Sequence, residues 1–275
     1  MRISEIMTPS FRALRQELGL PRPAKAVVQV SADSDFCREV VARGWLTEEQ
    51  MAHAAERYRL GRSKSGRSIF WMIDEMGRVY DGHIGNSWVS AMLKAREPEL
   101  LKDWHTEHCL FGTQMLNLTQ KSLKSQKRLR DESEGHTERT DSYIGRPLAS
   151  KSKENFEKNL IKPHAAPSDC TDVVAVVESE RSAVILSEVL PEYIWMASVY
   201  PMNLNVRTLQ PLCGRRVVLF PPTDETGETF LAWVEVADQA RRVLHLDISV
   251  STVLEERATE EQKRRKIDLV EYLWK

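Results

Sequence analysis

Acidic residues follow two predicted strands, at the positions where metal-ion chemistry is common in parallel sheets. These acids are Glu178 and Glu180 after the apolar run 173–177, and Asp224 and Glu225 after the run 216–220. If the two runs are parallel neighbours, their carboxyl ends meet at one edge of the sheet. The carboxylates could then converge on Mg²⁺, which prefers oxygen ligands. The alternative is that they cap the following helices, where negative charge opposes the helix dipole.

A second group of residues suits contact with phosphates. The segment 57–67 holds five basic residues and no acidic one, with glycines and serines between them. Such a loop can approach a phosphate backbone closely, and Tyr58 could stack on a base. The predicted nucleic-acid contacts are Arg59, Arg62, Lys64 and Arg67. The alternative is a solvated loop after a helix.

The C-terminal elements that would position the acids alternate between strands and helices. Strands are predicted over 173–177, 193–197, 216–220 and 243–248, and helices over 179–190, 227–240 and 267–274. The helix 227–240 is predicted to bury Phe230, Leu231, Val234 and Ala237. This alternation predicts an α/β fold with a doubly wound parallel sheet.

The N-terminal elements predict a smaller α+β unit. Thr47 and Gln50 form a capping box, and Met51, Ala54, Ala55 and Tyr58 follow at helical spacing. The segments 68–74 and 78–84 are rich in strand-forming residues around a Gly77 turn, which predicts a β-hairpin. Trp88 and Met92 would begin a second helix.

Composition divides the chain into three predicted parts. These are an α+β domain at 1–116, a flexible polar linker at 117–171 in which a short helix could form near 153–161, and an α/β domain at 172–275. The linker has few apolar residues to offset the entropy of ordering it. The formal net charges of the three parts are +1, +3 and −5. The overall charge of −1 therefore conceals an acidic C-terminal unit.

Other features restrict the protein class. The four cysteines form no CxxC pair, which favours reduced thiols in the cytoplasm over a zinc ribbon or disulfides. No apolar run approaches the roughly 20 residues that cross a bilayer, so no membrane partner is expected. Neither a P-loop nor a dinucleotide-binding glycine motif is present.

Three segments, in order along 172–275, resemble the motifs of the toprim (topoisomerase–primase) domain. The segment 174–183 resembles its first motif, a strand that ends in a catalytic glutamate, and 217–227 resembles its second, a strand followed by Asp-x-Asp-x-x-Gly. The segment 266–273 is similar to its later Lys-Asp segment. More narrowly, the chain resembles the primase-like toprim-containing proteins of Bacteroidetes and their mobile elements, through 68–74, 87–89, 109–112 and 194–198.

This resemblance implies Mg²⁺-dependent phosphoryl transfer on DNA or RNA, with a replicative helicase or a mobilisation protein as a further partner. The implied catalytic residues are Glu178, as general acid or base, and Asp224. The implied magnesium ligands are Glu178, Asp224, Glu225 and Asp268.

The chain also departs from the toprim pattern. Pro222 stands where the first aspartate of Asp-x-Asp is expected, and Ser179 stands for the glycine of the first motif. Ser182 stands for an aspartate, and 198–202 replaces a glycine-rich turn. Loss of one carboxylate among about three weakens Mg²⁺ binding and the chemistry that depends on it. The alternatives are a degenerate toprim module that binds nucleic acid or a replication or mobilisation partner, and a small-molecule-binding α/β protein.

Overall fold

A computed structural model describes residues 29–95, 109–117 and 173–274. Apart from Asn117, the predicted linker 117–171 lies outside the described residues, as does the helix expected near 153–161. The described N-terminal elements are α1 (Asp35–Ala42), α2 (Glu48–Tyr58), β1 (Gly61–Arg62), β2 (Ser68–Ile73), β3 (Val79–Ile84), β4 (Ser87–Trp88) and α3 (Val89–Lys94).

The capping box at the start of α2 is confirmed. The Thr47 side chain accepts a hydrogen bond from the Gln50 amide at 3.1 Å, and the Gln50 side chain accepts one from the Thr47 amide at 2.9 Å. These bonds satisfy amides that have no partner within the helix. The face of α2 predicted from helical spacing is buried, and its residues are Met51, Ala54, Ala55 and Tyr58.

The predicted hairpin is confirmed and is part of a four-stranded antiparallel sheet. The strand order is β1-β2-β3-β4, and β2 pairs with β3 in antiparallel register. The fully buried Asp81 of β3 accepts a hydrogen bond from the Ser90 amide at 3.0 Å and another from the Ser90 hydroxyl. Asp81 therefore attaches the start of α3 to the sheet, because its carboxylate accepts hydrogen bonds from groups at a helix start, where the amides have no acceptor within the helix.

The C-terminal part is the predicted α/β unit with a parallel sheet. Its elements are β5 (Val173–Val177), α4 (Glu180–Val189), β6 (Tyr193–Ala197), α5 (Val206–Leu209), β7 (Arg216–Leu219), α6 (Glu228–Leu244), β8 (Asp247–Val250), α7 (Val253–Arg257), α8 (Glu260–Arg264) and α9 (Leu269–Leu273). All neighbouring strands are parallel, in the order β6-β5-β7-β8. Helices cover both faces, because α4 contributes to one hydrophobic cluster and α6 to the other.

Two details of α6 and β8 differ from the sequence prediction. The helix continues to Leu244, and the strand predicted over 243–248 begins at Asp247. Leu231, predicted to face inward, is 63% exposed, whereas Ala237 is buried as predicted, together with Trp233 and Ala240. Burial of the large Trp233 ring turns the helix so that Leu231 faces solvent. The predicted helix 267–274 is shortened to α9, with α7 and α8 before it.

The two sheets share one hydrophobic cluster. Phe111 forms a bridge with Ala197 at the edge of β6, with hydrogen bonds of 2.9 and 3.0 Å. The buried Tyr58 of α2 stacks on Phe111 and donates its hydroxyl to the Trp195 carbonyl at 2.8 Å. The close approach of the two segments requires glycine at position 112, because its φ is +91° and a Cβ would lie 2.9 Å from the Trp195 oxygen. The N-terminal elements are therefore held against one face of the parallel sheet.

The strand order places a switch point between β5 and β7. The chain leaves β5 toward β6 on one side and leaves β7 toward β8 on the other. In open parallel sheets, the crevice beyond the carboxyl ends at such a point is the usual position of a ligand. No described helix is both long and apolar enough to cross a membrane.

Candidate functional site

A cleft of about 570 Å³ lies between the N-terminal unit and the carboxyl ends of β5 and β6. Its C-terminal wall includes Glu178, Glu180 and Tyr200, and its N-terminal wall includes Arg67 and His83. The cleft therefore brings together one predicted catalytic residue, Glu178, and one predicted nucleic-acid contact, Arg67, which lie far apart in sequence.

Glu178 is half-buried and follows β5 directly. Burial raises the pKa of its carboxyl, and the negative charges of Asp268 and Glu180 add to this effect, while Lys266 opposes it. The Glu178 side chain forms no hydrogen bond with any residue that the structure describes. This environment favours the neutral form of the carboxyl more than the surroundings of an ordinary glutamate do.

Glu180, His83 and Tyr200 form a chain of polar contacts that the sequence did not predict as a set. The Nδ1 atom of His83 is hydrogen-bonded to the buried Glu180 carboxylate, and its Nε2 atom lies 3.0 Å from the Tyr200 hydroxyl. Glu180 fixes the orientation of the imidazole, because its carboxylate accepts a hydrogen bond from the Nδ1–H group. Glu180 was singled out in the sequence as a strand-end acid, but no motif marked His83 or Tyr200, which become neighbours only through tertiary contact.

The turn that carries Tyr200 has an unfavourable backbone conformation. Val199, the preceding residue, has φ of +70°, a region that favours glycine and is strongly disfavoured for a β-branched side chain. Its amide donates a hydrogen bond to the Glu178 carbonyl at 2.8 Å. The turn at 198–202, where a glycine-rich segment was expected, is therefore attached by this hydrogen bond to the residue that follows β5.

The predicted basic loop borders the cleft at one end. Arg67 reaches the cleft across Gly85, whose φ is +62° and where a Cβ would lie 1.9 Å from an Arg67 nitrogen. Lys64 is exposed, and Arg59 and Arg62 are partly exposed. Arg62 lies 3.8 Å from the Asp33 carboxylate. Of the four predicted nucleic-acid contacts, Arg67 is the one that lines the cleft.

The carboxyl end of β7 is arranged differently. Asp224 is buried, and its carboxylate accepts hydrogen bonds from the Thr226 amide at 2.9 Å, the Thr226 hydroxyl at 2.8 Å and the Thr229 amide at 2.8 Å. Burial raises the pKa of Asp224, but the hydrogen bonds from Thr229 and Thr226 outweigh it and hold the pKa well below its usual range. Asp224 therefore caps the start of α6, as the alternative sequence interpretation proposed.

The other two predicted magnesium ligands also have local partners. Glu225 is exposed and lies 3.1 Å from the Nε atom of Arg264. Asp268 caps α9 by accepting a hydrogen bond from the Glu271 amide at 3.0 Å, and it also accepts one from the Ser182 hydroxyl. Asp268 is close enough to Glu178 for their charges to interact.

The positions of the predicted ligands determine whether they could together hold a magnesium ion. Among residues 29–95, 109–117 and 173–274, no group of three or more His, Cys, Asp or Glu side chains is placed to hold a metal. Pro222, in the position of the expected aspartate, is buried and offers no ligand atom on its side chain. The side chains in this arrangement do not fit the ligand set that Mg²⁺ prefers, and the magnesium site stays a prediction.

Comparison with known proteins gives one match. Residues 120–223 are similar to a family model described as "Domain of unknown function (DUF6371)". The matched range is less than half of the chain, and among the described elements it includes β5, α4, β6, α5 and β7 and ends four residues after β7. No curated protein and no solved structure matches the chain.

Proposed function

We propose that the chain is a toprim-like α/β module that binds nucleic acid through its cleft and basic loop. The observation that carries this proposal is the shared position of Arg67 and Glu178 in one cleft beyond the carboxyl end of β5. Ligands of open parallel sheets gather beyond the carboxyl ends of the strands, and this cleft lies there on the β6 side of β5, next to the switch point between β5 and β7. A polyanion is favoured as the ligand because Arg67 of the basic loop extends into this cleft.

The basic side chains of the loop differ in whether they already pair with an acidic residue. Arg57 pairs with Glu188 at 3.3 Å, and Arg62 lies near Asp33. Arg59, Lys64 and Arg67 form no salt bridge with a described residue. Phosphates would therefore interact with Arg59 and Lys64 without first displacing an acidic partner, whereas Arg67 lies close enough to Asp35 for their charges to interact.

The hydrogen bonds and ion pairs of the predicted metal ligands favour nucleic-acid binding without phosphoryl transfer. Asp224 is engaged in capping α6, and Glu225 pairs with Arg264 on the surface. Pro222 supplies no carboxylate. Phosphoryl transfer depends on charge neutralisation by bound metal and on positioning, and both need ligands that these residues do not provide. The helicase or mobilisation partner and the cytoplasmic location stay predictions.

Charge reversal in the loop tests the nucleic-acid proposal. Lys64→Glu is expected to weaken binding of a fluorescent single-stranded 20-mer at least several-fold and to lower the salt slope of log K, since each phosphate contact on a single strand contributes about 0.7 to that slope. Arg242→Glu is the matched control, because Arg242 is exposed on α6, which covers the opposite face of the parallel sheet. Equal affinities and equal slopes for both variants would contradict the proposal.

Calorimetry with Mg²⁺ tests whether chemistry also occurs. Wild type is expected to show no saturable heat, whereas Pro222→Asp restores the missing carboxylate and is expected to bind more tightly. Saturable Mg²⁺ binding by wild type that is lost in Glu178→Gln would instead support the Mg²⁺-dependent enzyme.

A further inference from the structure

The size of the cleft limits which part of a nucleic acid can enter it. Its volume of about 570 Å³ is typical of a small-molecule pocket and not of a groove that encloses a double helix. A base that enters such a pocket must be unpaired or turned out of the duplex, which costs a few kcal/mol in paired DNA. The cleft is therefore suited to one nucleotide of a single strand.

The charges of the cleft wall favour a neutral group inside it. Glu39 pairs with Arg181, Glu180 is hydrogen-bonded to His83, and Asp35 lies close enough to Arg67 for their charges to interact. Glu178 is not paired in this way, and its negative form would repel a phosphate. A nucleobase carries no charge and can enter, while the phosphates of the same strand follow the basic loop outside.

Asp35 and Glu178 supply hydrogen-bond acceptors in this wall. The Oδ1 atom of Asp35 accepts hydrogen bonds from the Ser68 amide and hydroxyl and from the Phe36 amide, at 2.7 to 2.8 Å. Its Oδ2 atom accepts none from a described residue. Free carboxylate oxygens of this kind suit the exocyclic amino groups of adenine, cytosine and guanine, which thymine and uracil lack.

Tyr200 supplies an aromatic surface at the mouth of the cleft. It is 36% exposed, its hydroxyl contacts His83, and the His83 and Trp88 rings meet it at interplanar angles of 77° and 53°. No described ring lies parallel to it. Its orientation is fixed by these contacts and by the strained Val199 turn, and a fixed, partly open ring is what base stacking requires.

We propose that the cleft receives one unpaired, amino-bearing base of a single strand, stacked on Tyr200 and hydrogen-bonded to the carboxyl groups of Asp35 and Glu178. This inference rests on the proposed nucleic-acid function and specifies its ligand. The protein then prefers single strands to duplexes, and prefers oligo-dC to oligo-dT, two pyrimidine strands that differ in the exocyclic group at ring position 4 and in the 5-methyl group of thymine.

Fluorescence anisotropy with oligo-dC, oligo-dT and a duplex of equal length tests this inference. Tyr200→Ala is expected to weaken oligo-dC binding about fivefold or more, since base–aromatic stacking is worth about 1–3 kcal/mol. Tyr200→Phe keeps the ring and is expected to retain most of the affinity. Met202→Ala is the matched control, because Met202 is 90% exposed two residues away.

Asp35→Asn tests base selection separately. It is expected to reduce the preference for oligo-dC over oligo-dT, while thermal unfolding confirms that the variant is folded. Equal affinity of wild type for oligo-dC and oligo-dT, or an unchanged affinity in Tyr200→Ala, would overturn this inference. If Lys64→Glu still weakened binding in that case, the nucleic-acid function would stand and only the base pocket would fail.

Discussion

The carboxyl ends of β5 and β7 lie side by side, yet their acidic residues have different surroundings. Glu178, after β5, faces an open cleft, and burial and neighbouring acids raise its pKa. Asp224, after β7, is enclosed by its own loop, where hydrogen bonds from Thr226 and Thr229 lower its pKa. The first end leaves a carboxyl available for a ligand, and the second uses its carboxylate to begin a helix.

This contrast shows that a strand-end acid is not by itself a metal ligand. Both acids lie in the loops after neighbouring parallel strands. The difference arises from the partners that each loop supplies, because Asp224 accepts hydrogen bonds from amides at the start of α6, while the Glu178 side chain accepts none from a described amide. Local hydrogen bonding therefore decides whether such a carboxylate stabilises the fold or remains open to a ligand.

The largest expected difference in the free energy of unfolding is between two valine-to-glycine variants near the cleft. Val199→Gly is expected to change the free energy of unfolding by less than about 1 kcal/mol, because relief of the left-handed conformation offsets lost burial. Val177→Gly, in the extended strand β5, is the control and is expected to cost about 3 kcal/mol. Urea unfolding measures both. Equal costs would show that Val199 is not strained.

The two acids provide the next test. Asp224→Ala is expected to lower the free energy of unfolding by about 2 kcal/mol, because three hydrogen bonds at the start of α6 are lost. Glu178→Gln is expected to change it by less than about 0.5 kcal/mol, because the Glu178 side chain holds no described structural partner. Urea unfolding at pH 7 compares them. A larger loss in Glu178→Gln than in Asp224→Ala would reverse the contrast.

The pH dependence of stability should also differ between the two ends. The folded-state pKa of Asp224 lies below its usual 3.8, so its stabilising contribution is present above about pH 4 and is lost as the pH falls. The folded-state pKa of Glu178 lies above its usual 4.5, so its contribution is present below that value and is lost as the pH rises.

Urea unfolding between pH 3 and pH 8 measures this difference. Asp224→Asn is expected to flatten the acidic part of the stability profile, and Glu178→Gln the part above about pH 4.5. Flattening of the same part of the profile by both variants would contradict the opposite directions of the two pKa values.

The smallest effect is expected at the surface of the β7 end. Glu225→Gln removes the ion pair with Arg264, whose side chains are 58% and 67% exposed. Exposed pairs of this kind contribute about 0–1 kcal/mol, so the free energy of unfolding should change by no more than about 0.5 kcal/mol. A much larger loss would show that Glu225 has a further structural partner.

Much of the local structure could be predicted from the sequence. The capping box of α2, the hairpin of β2 and β3, and three of the four parallel strands were predicted close to their observed bounds, since they depend on spacing and side-chain type along a short segment. The inward face of α6 was predicted only in part: Ala237 is buried as predicted, but both Leu231 and Trp233 fit an apolar helix, and only packing against the sheet selects Trp233.

The sequence by itself determined the alternation of strands and helices, the acids at the strand ends and the basic loop. Only the tertiary structure decided which of these residues share a site. His83 and Tyr200 reach Glu180 from distant segments, and Arg67 reaches the cleft of Glu178 through the packing of the hairpin. The physical reason is that hydrogen bonds and burial act over a few ångströms of space, whatever the separation along the chain.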